Sequence, residues 1–221
     1  MGIIAAALML LLSQLTMSGM SSYVYPNYYG SAAAQSLASL VGMAGTLLIC
    51  APTAVKLSQK FGKKELATAG AIVGAVSYLL CFFLRPANPF VYVAFAAVAT
   101  VSMGYFNTVV WAMITDVIDD TEVRTGVRED GTVYSVYSFA RKLGQAISSG
   151  LIGGLLTMIG YSEATAFDPA VTGKIFNLAC LAPFAGFVAL ALILMFLYPL
   201  NKTRVEQNIA TLAARREGKE N

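Results

Sequence analysis

The chain has 221 residues, 57% of them hydrophobic and only 12% charged, with a mean hydropathy of +0.67. That composition excludes an ordinary soluble domain. The absence of histidine also removes the usual zinc sites, a Ser–His dyad and an H-E-x-x-H centre.

In chain order, six apolar runs stand out, at 3–25, 37–55, 66–84, 90–114, 133–159 and 175–200. Each is about 20 residues or more, enough to cross a hydrocarbon core of roughly 30 Å. In lipid the backbone must satisfy its own hydrogen bonds, so the runs are predicted to be helices. The expected fold is an all-α membrane protein, with a six-helix transmembrane bundle over 1–200 and an amphipathic tail over 201–221. The first run opens "MGIIAAALML" without a basic flank, so it reads as a retained helix and not a cleaved signal. It carries Ser13, Gln14, Thr16, Ser18, Ser21 and Ser22, and ends in "YVYPNYYG". The aromatics at 23–29 predict an interfacial belt.

Gly42 and Gly45 in the second run, Gly70 and Gly74 in the third, and Gly150, Gly153 and Gly154 in the fifth predict close helix approach. Cys50, Cys81 and Cys180 lie singly inside runs, as small buried apolar residues. In the tail, Val205, Ile209 and Leu212 recur at helical spacing, which predicts a helix lying on the lipid headgroups. Eleven Lys and Arg residues fall on the side shared by both termini and two, Arg85 and Lys174, on the other. The asymmetry predicts cytoplasmic termini in a multi-pass cell-membrane protein. The net charge of +3 is this asymmetry and gives no reason to expect nucleic acid as a partner.

The fifth run holds the sharpest signal. With a helix starting near Thr132, Lys142 falls about 15 Å deep, close to the bilayer midplane. Ser135, Ser138, Lys142, Gln145 and Ser149 form one polar stripe, while Arg141 points about 100° away. A charge at that depth needs water or partners. The stripe therefore lines an aqueous cavity for a polar substrate, or Lys142 belongs to a structural ion pair, or the helix sits shallower.

A second concentration of charge lies at 116–131, "DVIDDTEVRTGVREDG". Asp116, Asp119 and Asp120 share one helical face and repel, so they call for cations. Arg124, Arg128 and the lysines at 56–64 are the candidates. The readings are a solvated loop or a charge latch at the mouth of a cavity.

The segment "TDVIDDTEVRTGVREDGTVYSVYSFARKLGQA" resembles the cytoplasmic loop and eleventh helix of glycoside–pentoside–hexuronide:cation symporters, the melibiose-permease relatives of the major facilitator superfamily. The matching elements are Asp116, Asp119, Glu122, Thr125, Gly126, Arg128, Gly131, Tyr134, Ser135 and Lys142, with Asp130 where the family usually has Glu. "KFGKK" resembles the superfamily loop between second and third helices of each half, with Gln59 in place of its usual Asp. The likeness covers essentially the whole chain and one half of the family fold, its C-terminal bundle. It implies cation-coupled symport of a sugar or glycoside, with no cofactor. Tyr134, Ser138, Lys142 and Gln145 are the implied substrate-binding residues. Asp116, Asp119, Glu122 and Arg128 are the implied cytoplasmic gate. The ligands of the coupling cation, Na⁺ or H⁺, are expected on an N-terminal bundle that this sequence does not contain. The partners expected are the bilayer, the sugar, and that bundle or a second copy of this chain.

An embedded enzyme fits poorly. Asp130-Gly131 is not followed by the Ala-Arg of CDP-alcohol phosphotransferases, and Asp116 and Asp120 lack the upstream Asn of prenyltransferases. Two further readings stand beside the half-transporter, a non-transporting fragment or partner subunit, and a homodimer of half-transporters.

Overall fold

The computed structural model describes residues 2–217. Residue 1 and residues 218–221, including Lys219 of the charge tally, lie outside the described residues. Seven helices follow one another: α1 (Gly2–Tyr28), α2 (Ala32–Phe61), α3 (Lys63–Leu84), α4 (Pro89–Thr125), α5 (Asp130–Met158), α6 (Pro169–Leu197) and α7 (Lys202–Glu217). There is no strand among the described residues.

Local chemistry sets the helix ends. Asn88 and Asp168 each cap the following helix by accepting a backbone N–H two residues on, at 2.9 and 2.8 Å, with proline at the next position. Gly126, at φ 76°, ends α4 in the left-handed region that a glycine enters without strain. Prolines account for two irregularities inside the helices. Pro26 lies in a widened π-turn at the end of α1, and Pro52 follows another at Thr46–Cys50, because proline has no N–H to continue the regular ladder.

Five helices, α1, α2, α3, α4 and α6, are long and apolar enough to cross a membrane. The 29-residue α5, expected as a sixth span, is long enough, but its serines, glycines, Gln145, Arg141 and Lys142 make it less apolar than the rest. At 37 residues, α4 is about 55 Å long and projects beyond a ~30 Å core as a charged stalk.

The helices pack in the spatial order α5–α1–α6–α3–α4–α2, and α7 lies on the charged end of α4. Tyr78, Tyr92, Phe106, Met113, Phe176 and Phe187 fill the centre. The expected close approaches of α2 and α3 are present. A Cβ on Gly42 or Gly45 would meet Thr100 or Val101, and one on Gly74 would strike the Phe187 ring. Gly150, Gly153 and Gly154 differ, since a Cβ on any of them would meet nothing within 4 Å. They lie on the outward side of α5 and bring no helix close among the described residues. All three cysteines are buried and free.

Two local expectations are revised. The aromatics at 23–29 are not simply a belt, because Tyr25 is fully buried and edge-packed on Tyr92 at 5.4 Å, and Tyr28 stacks on Phe176 at 4.8 Å. They close the end of the bundle opposite the charged one. The tail helix contacts protein: Asn208 and Leu212 are buried against α4, while Ile209 of the expected apolar stripe is exposed. Asp120 at the end of α4 draws that face inward.

Candidate functional site

At the charged end, the acids at 116–122 find the partners their spacing calls for. Lys63 donates to Asp116 at 2.6 Å, across from α3 to α4. Arg128 reaches Asp119 and Glu122 at 2.8 Å each and Asp130 at 2.9 Å. The bonds to Asp119 and Glu122 push its pKa above the ordinary arginine value. Asp120 takes Arg204 and Asn208 of α7 at 3.0 Å, with Arg124 at 3.7 Å. Arg215 donates to the Glu122 and Val123 carbonyls, which fastens the far end of α7. Asp116, Asp119, Glu122 and Arg128, read as a gate, thus all pair within this chain.

Farther in, a groove opens between α1, α2 and α4. One part, about 270 Å³, is lined by Gln14, Ser18, Ser21, Ser22, Gln35 and Thr100 among others. Tyr25 also lines it, and its buried hydroxyl has no hydrogen-bond partner among the described residues. The adjoining part, about 240 Å³, adds Asn107, whose amide donates to Gln14 at 3.5 Å. Its polar lining is amide and hydroxyl with no charge, set among Met17, Met43 and Met103, which suits a ligand with both hydroxyl groups and an apolar face.

The polar stripe of α5 faces away from its own bundle. Tyr134, Ser138, Lys142 and Gln145 are all exposed, and Lys142 has no ion pair or hydrogen bond among the described residues. Gly144 packs on Leu8 and Leu11, which sets the Lys142 level of α5 against the first half of α1.

The structure adds to the site Trp111, which the sequence pattern did not single out, and Arg141, which it set apart from the stripe. Trp111 of α4 is half exposed, stacks with Tyr134 at 6.4 Å and meets Tyr137 edge-on at 5.4 Å. Arg141 donates to the Tyr137 hydroxyl at 3.3 Å and lies 5.9 Å from the Trp111 ring. The 100° that separates Arg141 from the stripe turns it toward α4, into the seam where Trp111 stands. A single tryptophan four residues beyond Asn107, on the same helical face, was the available signal. The groove residues of α2 and α4 were missed as well, because their alignment depends on packing between helices. Among the described residues no cluster of three or more Cys, Asp or Glu side chains is placed to hold a metal ion.

Comparison with known proteins agrees with this arrangement. The family model for MFS/sugar transport proteins matches residues 1–202. A provisionally named sulfoquinovose importer of Escherichia coli K12 is 36% identical over 160 residues, 72% of this chain and 33% of the relative. A glucuronide carrier protein homolog of the same organism is 32% identical over 167 residues, 76% of the chain and 36% of the relative. The uncharacterized symporter YjmB of Bacillus subtilis is 34% identical over 158 residues, 71% of the chain and 34% of the relative. The chain spans about a third of the length of these relatives. A multi-pass helical bundle with a polar groove and an outward polar stripe is thus built on a transporter sequence and not an enzyme, and the chain belongs to the MFS/sugar transport protein family, among its glycoside–cation symporters.

Proposed function

We propose that the chain acts as the C-terminal six-helix bundle of a cation-coupled symporter, carrying a sugar or glycoside across the cell membrane with its charged end in the cytoplasm. The observation that carries this reading is the outward polar face: Lys142, Ser138, Gln145 and Tyr134 on α5, with Trp111 stacked on Tyr134 one helical turn from Asn107 of the uncharged groove of α1, α2 and α4. A helix that directs a lysine away from its own bundle is suited to a water-filled cavity shared with a second bundle. The groove supplies donors and acceptors for sugar hydroxyls. Relatives named for sulfoquinovose and for a glucuronide support a substrate of sugar type.

Two bundles rocking about such a site would expose it to each side in turn. The coupling cation, Na⁺ or H⁺, needs oxygen ligands, and the acids of this chain lie at its ends and not along the open face. An N-terminal bundle would supply them. The charge cluster at 116–130, as part of a cytoplasmic gate, would hold the inner mouth shut in the outward-facing form, and substrate shifts that balance by binding one form more tightly.

The test is uptake of labelled glycosides and uronides into vesicles, with the chain alone and co-expressed with a matching N-terminal bundle. Uptake only with the added bundle is the expected result. Uptake by the chain alone would establish a homodimeric half-transporter, and silence in both would remove the transport reading.

A further inference from the structure

Arg141 and Lys142 are the two cations set along the middle helices of this chain, and neither has a carboxylate partner among the described residues. No Asp or Glu occurs between Glu65 and Asp116, or between Asp130 and Glu163. The contrast with the charged end, where Asp116, Asp119, Asp120 and Glu122 are all paired, shows that the sequence supplies counter-charges where it needs them for structure.

The two cations are held differently. Lys142 is exposed on a flexible stem that faces away from the bundle. Arg141 is half-buried and oriented: its guanidinium donates to the Tyr137 hydroxyl and lies 5.9 Å from the Trp111 ring and 5.8 Å from the Tyr137 ring. Aromatic faces and a phenol oxygen stabilise the guanidinium without neutralising it. A planar guanidinium has five N–H donors, and one bond to Tyr137 leaves donors for a second acceptor. This geometry suits bidentate recognition of a carboxylate or sulfonate.

Position along α4 connects this cation to the groove. Asn107 and Trp111 are four residues apart on one helical face, about 6 Å. Asn107 contacts Gln14 in the groove, and Trp111 contacts Tyr137 beneath Arg141. One sugar ring would fit that interval, with hydroxyls toward Gln14 and Asn107 and its apolar side against the Trp111 face.

We infer that Arg141 is a specificity-determining residue, and that it selects acidic sugars, bearing a carboxylate or sulfonate, over neutral ones. This rests on the sugar-transport reading above and narrows its substrate class. Lys142 remains available for the charges of a partner bundle.

The single tryptophan provides the measurement. The full chain, assembled in lipid nanodiscs with a tryptophan-free N-terminal bundle, is titrated with methyl β-glucuronide and with methyl β-glucoside while Trp111 fluorescence is followed. A saturable change with the glucuronide, at least about tenfold weaker with the glucoside, is expected. Arg141→Gln should reduce glucuronide affinity to the glucoside level, and Arg141→Lys should restore part of it. Circular dichroism verifies that both variants keep their helices. Equal affinity for the two ligands, or a preference that survives Arg141→Gln, overturns the inference and leaves the sugar reading in place. No response to either ligand overturns both.

Discussion

The charged end of the bundle and the open face of α5 handle charge in opposite ways. At the charged end, the carboxylates of Asp116 and Asp120 are nearly inaccessible, and each is matched by a cation from a different helix of the same chain. On α5, Lys142 is exposed with no ion-pair or hydrogen-bond partner among the described residues, and Arg141 rests on aromatic rings. Unmatched buried charge is expensive, so the first pattern joins α3, α4 and α7 into one unit. The second costs little only if the face meets water, ligand or another bundle. Pairing therefore separates residues that hold the bundle from residues available for work.

Substitutions should divide along the same line. Lys142→Ala is expected to abolish substrate accumulation by the assembled transporter while leaving the thermal stability of this chain within about 0.5 kcal/mol, since that side chain is exposed and makes no ion pair among the described residues. Uptake assays beside a thermal melt check both halves, and full uptake would remove Lys142 from the site. Lys63→Ala should do the reverse to stability. It strands the Asp116 carboxylate, whose side chain is only 6% exposed, and should cost about 2–3 kcal/mol. The estimate lies below that for a fully buried pair because Lys63 is 30% exposed. Asp116→Asn in the same background should recover part of the loss.

A smaller effect is expected at the tail. Asp120→Ala leaves Arg204 and Asn208 without their shared acceptor and should loosen α7 by about 1–2 kcal/mol. Arg204 is 42% exposed, so solvent screens much of its ion pair. Limited trypsin digestion should then cut after Arg204 or Arg215 faster than in the parent, with the bundle intact. An unchanged cleavage rate would show that Leu212 and Arg215 hold the helix without Asp120.

The fold was legible in the sequence because apolar length is a strong signal, and the runs at 66–84 and 90–114 lie inside α3 and α4. Less legible was the extent of α4, whose regular helix runs on through its acids to Thr125. Apolarity cannot mark the end of a helix that leaves the membrane. The partners of the acids were foreseen in Lys63 and Arg128 but not in Arg204 or Asn208, because the docking of α7 depends on three-dimensional placement. In the candidate site, Lys142 could be read from periodicity along one helix. Arg141, Trp111 and the groove of Gln14, Gln35 and Asn107 could not, since each acquires its meaning from a neighbouring helix.

The glycines of α5 give the finest version of the comparison. Gly74 of α3 packs so closely on Phe187 that an added methyl group would strike the ring, whereas Gly153 has open space around its Cα. In the lone chain, Gly153→Ala removes backbone freedom from the unfolded state and adds no clash, so it should stabilise by about 0.5–1 kcal/mol. Gly74→Ala should destabilise, because the Phe187 ring is fully buried and must shift against a packed core. If Gly150, Gly153 and Gly154 admit the backbone of a second bundle, the sign at Gly153 reverses on assembly. The expected result is therefore a higher melting temperature for the Gly153→Ala chain alone, together with weaker co-purification with an N-terminal bundle. A gain in stability with unchanged association would place the second bundle elsewhere on α5.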